Sequence, residues 1–227
     1  HMGTVTLNKT NRMYWLGRYL ERVCTTLKAT RPLFDAYTDD KEADFAAYCT
    51  ALGIPADYRD TADFIKRYYF DMGNPASVAA SLSYAYDNAI VLREMLTSET
   101  LAYVQMAVSA MELAAKSSGP AVELQWVLDD IMAFRGACEE KITDDKNRGI
   151  IKTGASQERV DLYLRLGYPK DAVRKEFERL FNRLYKAPLK PSKESLALLV
   201  DALLDTEKPT PPVPILVQTV EGLFPNI

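Results

Sequence analysis

Two glutamate–arginine pairs are the residues of this sequence best placed to do chemistry. The first lies in Tyr14-Trp15-Leu16-Gly17-Arg18-Tyr19-Leu20-Glu21-Arg22, the second in Gly154-Ala155-Ser156-Gln157-Glu158-Arg159-Val160-Asp161. Both fit Gly-x-x-x-Glu-Arg, with Trp15/Leu16 and Val160/Leu162 as apolar neighbours. On a helix, Arg18 lies one turn from Glu21 and Arg22, so three charges gather within about 6 Å of rise. The apolar neighbours oppose full solvation, and half-buried charges need partners, which Glu158 and Arg159 supply if the two segments meet. Two roles suit such a set. Arginine forks grip a carboxylate or phosphate bidentately; equally, a buried ion-pair network fixes helix register and touches no ligand. Asn88 and Arg93, farther along the chain, are candidate neighbours for either role.

Other chemistries lack their residues. The one histidine is His1, and His1-Met2 reads as a cloning junction, which leaves the natural chain without imidazole. Ser-His-Asp and Cys-His catalysis and His-ligated metals are then out of reach. Cys24, Cys49 and Cys138 are odd in number and widely spaced, as expected of buried reduced thiols. No Gly-x-Gly-x-x-Gly or Gly-Lys-Ser/Thr phosphate loop is present. Acidic neighbours such as Asp129-Asp130 and Glu139-Glu140 carry no mark of an acid–base pair, and Asp144, Asp145 and Asn147 lack calcium-loop spacing. The expectation is therefore no metal and no cofactor.

The elements that must position these residues are helices. Glycines number only 10, strict alternation is almost missing, and apolar residues recur at three- and four-residue spacing. A first helix is expected from Leu7 to Phe34 and a second from Asp39-Asp40 to Gly53. A third runs from Asp57 to Phe70, a fourth from Pro75 or Ala76 to Leu96, and a fifth from Thr97 to the Ser117-Ser118-Gly119-Pro120 stop. A sixth reaches toward Glu140, a polar turn spans Thr143 to Gly149, and a seventh covers Ile150 to Leu166. An eighth ends near Tyr185 and a ninth, capped by Ser192, near Leu204. Pro209, Pro211, Pro212 and Pro214 then deny helix to the remainder, which reads as an extended arm over residues 206–227, beyond a helical domain over 1–205. Its apolar residues favour docking back onto the bundle. The expected fold is all-α: an antiparallel bundle of eight to nine helices with a Pro-rich C-terminal arm.

The chain has 227 residues, 28 Lys+Arg against 31 Asp+Glu, 48% hydrophobic and 26% charged residues. These values suit a folded soluble protein and exclude wholesale disorder. No stretch is apolar and long enough to span a membrane and the opening is not a secretory signal, so a cytoplasmic protein without membrane attachment is expected. One basic stripe stands out, with Lys175, Arg179, Arg183 and Lys186 at spacings of four, four and three. It reads as a solvated face or as a surface for an acidic partner. Nucleic acid is disfavoured because the chain is acidic, at −3, and has no recognition motif.

The segment Asn11 to Arg22 resembles the opening of the bacterial alpha-E family, a helical domain named for its Glu-Arg motif, which has a very similar Tyr-Trp-Leu-Gly-Arg-Tyr-Leu-Glu-Arg. A second landmark of that family, near Ala-Arg-Glu-Asn-Ala-Arg, is similar to Ala85-Tyr86-Asp87-Asn88-Ala89-Ile90, with Arg93-Glu94 and Ser98-Glu99 following; Tyr86 and Ile90 stand where it has arginines. The late repeat survives as Gly154 with Glu158-Arg159. The resemblance implies a helical fold and an indirect function. Alpha-E domains occur fused or adjacent to circularly permuted ATP-grasp proteins and transglutaminase-like proteins. The expectation it implies is a non-catalytic accessory protein that binds a substrate peptide or docks an ATP-grasp-type peptide or amide ligase. Homo-oligomerisation stays open. So do two alternatives, an enzyme forming or cleaving amide bonds with the arginine–glutamate cluster, and a small-ligand sensor.

Overall fold

Capping residues and prolines divide this chain into more helices than its apolar periodicity implies. A computed structural model describes residues 2–227, with side chains from Leu7 onward; His1, and the cloning junction read there, lie outside the described residues. Twelve α-helices are present among the described residues, where eight to nine were expected, and they are joined by turns and loops. The all-α class stands.

The long first helix, α1 (Met2–Ala29), stops before Phe34, and α2 (Arg31–Thr38) restarts at once. Pro32 explains the break: within a helix it clashes with the preceding turn, whereas in the first turn of α2 its missing N–H is not needed. Asp39 and Asp40 do not open the next helix. Asp40 has φ of 54°, the left-handed region, and the cap of α3 (Phe45–Leu52) is Asp44, whose carboxylate accepts from the Ala47 N–H at 3.0 Å. Asp60 likewise caps α4 (Thr61–Phe70), accepting from the Asp63 N–H at 2.7 Å. The expected fourth helix divides at Leu92 into α5 (Val78–Val91), capped by Ser77, and the single turn α6 (Arg93–Leu96).

After α7 (Ser98–Lys116) and α8 (Ala121–Lys141) comes α9 (Asp145–Arg165), which begins inside the segment expected to be a polar turn. Asp144 accepts from the Lys146 and Asn147 N–H groups, converting that polar run into a capped first turn. Helices α10 (Lys170–Arg183) and α11 (Lys193–Leu203, capped by Ser192) follow. The C-terminal segment differs most from expectation. Residues 206–212 are free of helix, but Val213–Glu221 form α12, with Pro212 as N-cap and Pro214 in the first turn. Prolines at a helix start satisfy the same geometry that excludes them from its interior, so this run announces a helix where an extended arm was expected.

The chain divides into two units, and the division falls within α1. One unit holds residues 1–18 and 144–227; among its buried side chains are Leu16, Ile150, Val160, Phe177, Leu180, Leu199 and Val220. Within it α9 is packed by α10 and α12, and α11 packs on both of those. The other unit, residues 19–143, is built on the α7–α8 hairpin, joined by the short Ser117–Pro120 connection, with α5 against α7 and α4 between α2 and α5. Its buried residues include Val23, Phe64, Ile65, Tyr69, Leu82, Val127, Ile131 and Phe134. Cys24, Cys49 and Cys138 are buried there as thiols outside any disulfide.

Candidate functional site

A contact between two glycines and two backbones places the first motif on the second. A Cβ on Gly17 would fall on the Ile151 carbonyl of α9, and a Cβ on Gly154 would fall on the Tyr14 carbonyl of α1. The approach is reciprocal: each glycine lies on the residue three before the other. Only glycine permits helix backbones so close, so the glycine of each Gly-x-x-x-Glu-Arg string sets the crossing, and its charged residues follow one turn later.

At this crossing the Arg18 guanidinium is fully engaged. Its Nε donates to Glu158 Oε2 at 2.7 Å, Nη1 to the Tyr14 hydroxyl at 3.2 Å, and Nη2 lies 3.5 Å from Asp161 Oδ2. Its face lies over the Trp15 ring, 4.7 Å from the centroid. Arg18 is 6% exposed and Glu158 2%, so this is an interior ion pair. Burial works against the charge of Arg18, but the Glu158 carboxylate, Tyr14 and Asp161 outweigh it and raise its pKa above the ordinary value. Asp161 also accepts from Arg165 Nε at 2.5 Å. Burial, followed by the neighbouring Glu158 charge, nevertheless raises the Asp161 pKa above the usual carboxylate range. Tyr14 donates its hydroxyl to Gln157 Oε1 at 2.5 Å, and burial raises its pKa too. Gln157, wholly buried, donates onward from Nε2 to the Val220 carbonyl at 2.8 Å.

The remaining motif residues are distributed. In the unit of residues 19–143, Glu21 is buried, accepts from Thr25 Oγ1 at 2.9 Å and pairs with Arg135 of α8. Arg22 is half-buried, its guanidinium 5.4 Å from the Tyr19 ring centroid. Asn88 is buried on α5, and Arg93 is exposed on α6. Arg159 belongs to the unit of Arg18 but reaches Glu176 of α10 at 3.2 Å. The candidate set therefore forms separate pairings: Arg18 with Glu158, Glu21 with Arg135, and Arg159 with Glu176.

Two of the four basic-stripe residues hold α10 in place. Arg179 pairs with buried Glu176 at 2.9 Å, and Arg183 donates to the Lys152 carbonyl at 3.0 Å and to Ser156 Oγ. Lys175 and Lys186 are exposed. Asp161, Arg165, Arg135, Glu176 and Gln157 complete these networks, and sequence reasoning did not select them. The one available signal was the four-residue spacing from Asp161 to Arg165, a helical ion pair by position.

Among the described residues no group of three or more His, Cys, Asp and Glu side chains is arranged to hold a metal, and no helix is long and apolar enough to cross a membrane. A shallow open depression lies at the end of α11, lined by Val200, Asp201, Leu204, Asp205, Thr206 and Glu207, none of them a motif residue.

The family model for Alpha-E, described as a predicted alpha-helical domain with a conserved ER motif, matches residues 9–189. No curated protein and no solved structure matches the chain.

Proposed function

The chain belongs to the Alpha-E family, and from that premise we propose that it is a non-catalytic accessory protein of an ATP-grasp-type peptide or amide ligase, acting by binding the substrate peptide or docking the enzyme. In this reading the ER motif holds helices together and the surface does the binding. The observation that carries it is the state of Arg18. All three of its nitrogens face protein acceptors and its face is covered by Trp15, so no fork remains to grip a ligand or stabilise a reacting anion. Its carboxylate partners are as fully committed: Glu158 to Arg18, Asp161 to Arg165 and Arg18. Surface charge gives the partner a place to act. Within residues 1–18 and 144–227 there are 17 Lys/Arg against 12 Asp/Glu, a net +5, and Lys175 and Lys186 stand exposed on α10. Such a surface steers an acidic protein or peptide toward it.

The test is reconstitution. The purified protein is incubated with ATP, magnesium and candidate peptides, first alone and then with an ATP-grasp ligase encoded beside it. The reading expects ATP-dependent amide formation only in the second mixture, at a rate above that of the ligase alone. Turnover by the protein alone overturns it and favours an enzyme.

A further inference from the structure

Helix α12 sits on α9 as a bound peptide helix sits on a receptor. Leu216, Val220, Leu223 and Phe224 are at most 5% exposed, whereas Val213 and Ile215 on the other side are about half exposed, at 46% and 45%. Phe224 meets the Tyr14 ring edge-on at 5.8 Å. Polar contacts lie at the far end of the helix: Gln157 Nε2 donates to the Val220 carbonyl, Arg165 pairs with Glu221, and the Ser192 N–H donates to the Leu223 carbonyl at 2.8 Å.

Three observations set this helix apart from the rest of its unit. Its chain connection to α11 is residues 204–212, a connector rich in proline and mostly exposed. It meets its unit through exposed polar pairs, Lys208 with Asp201 at 3.0 Å and Lys170 with Thr210 at 2.9 Å, and none of its side chains is buried, so it acts as a tether. The receptor residues Tyr14, Gln157 and Arg165 fall inside the family match over 9–189, and α12 falls outside it. Finally, Gln157 is completely buried, and of its amide the carbonyl accepts from Tyr14 while the Nε2 donor is met by a main-chain carbonyl of α12. A buried side-chain donor aimed at a carbonyl near the end of a helix reads backbone, not sequence, and serves any helix with the right apolar face.

We propose that the face of α9 and the adjoining part of α1 under α12 is an exchangeable peptide-binding groove. Its ligand in trans is a short amphipathic helix with apolar residues spaced as Leu216, Val220, Leu223 and Phe224 and a carboxylate at the place of Glu221. Helix α12 is the tethered competitor that fills the groove in cis. A tether of this kind raises the local concentration of α12 to the millimolar range, so a trans ligand of equal intrinsic affinity is outcompeted on the order of 100-fold until the tether is cut or the ligand contacts a second surface. The proposal stands apart from the ligase reading, because its test uses only this chain and its own segment.

A protease-cleavage sequence is inserted in the exposed connector between Glu207 and Thr210, and the folded full-length protein is cut. Fluorescence anisotropy then follows a labelled peptide of residues 212–227, with circular dichroism recorded on the same samples. The expected result is that the cut protein takes up the peptide at least ~100-fold more tightly than the uncut protein. Phe224→Asp in the peptide should abolish uptake, and Gln157→Leu in the protein should weaken it. Three results would each overturn the proposal: a cut protein that keeps its own segment and takes up no peptide, one that loses its helical signal once the segment leaves, and one that binds a scrambled peptide equally well.

Discussion

Arg18 and Glu158 are buried together, and the consequence of removing one differs from that of removing both. Glu158→Ala leaves the guanidinium in the interior with Asp161 at 3.5 Å as its remaining carboxylate, and should cost about 3–5 kcal/mol in denaturant unfolding. Replacing the pair as Arg18→Met with Glu158→Leu removes both desolvation penalties while Asp161 keeps Arg165. That double variant should lie between neutral and about 4 kcal/mol more stable than the wild type. Equal losses from the single and double variants would contradict the clasp. Asp161 adds a pH signature. Its pKa is raised in the fold, first by burial and then by Glu158, so the folded state holds this proton more tightly than the unfolded state. Its contribution to stability is complete below the ordinary value of 3.8 and is lost as pH rises through the folded pKa. Asp161→Asn should therefore gain melting temperature relative to the wild type as pH rises above 3.8; a difference that shifts the other way would refute the sign. Sequence spacing located both Glu-Arg pairs. It also matched the first cluster to the second, where Glu158 pairs with Arg18, but it did not find Arg135 and Glu176, which are ordinary surface residues by pattern until tertiary packing places them opposite a charge.

Helix crossing is governed by glycine here, and the comparison among glycines is quantitative. In an open helix interior, Gly→Ala stabilises by about 0.8–1 kcal/mol. Gly136 of α8 has nothing within 4 Å of where a Cβ would stand, so Gly136→Ala should raise the melting temperature. Gly17→Ala and Gly154→Ala each drive a methyl into a backbone carbonyl of the facing helix, which no rotamer relieves, and should destabilise the fold by about 1–3 kcal/mol. If all three variants behave alike, the α1–α9 crossing is looser than described. The helices themselves were legible from period and caps, but several boundaries were not. Apolar spacing runs through Thr30 and Leu92 without change, so the breaks between α1 and α2 and between α5 and α6 left no mark in it. The C-terminal prolines pointed the wrong way because proline excludes a helix interior and favours a helix start, and position within the run decides between them.

The whole molecule is nearly neutral, at −3, but its charge is unevenly placed: +5 in residues 1–18 with 144–227, and 11 Lys/Arg against 19 Asp/Glu, or −8, in residues 19–143. The basic stripe gave part of this away in the sequence. The two-unit division did not show, because it cuts α1 between Arg18 and Tyr19, inside an unbroken helical motif. A partner steered by the basic unit should associate more slowly when Lys175→Glu and Lys186→Glu are combined, by roughly tenfold at low salt and less at high salt. An unchanged association rate would move the docking surface elsewhere. The central claim, that the ER motif is a structural clasp in a protein that acts through its surface, is tested most directly by one rate. This is the steady-state rate of ATP-dependent amide formation by the proposed partner ligase, measured with the wild type and with the Arg18→Met/Glu158→Leu protein. The account predicts equal stimulation by the two. A double variant that folds and binds the ligase yet no longer stimulates it would contradict the account and return the arginine–glutamate pair to the chemistry.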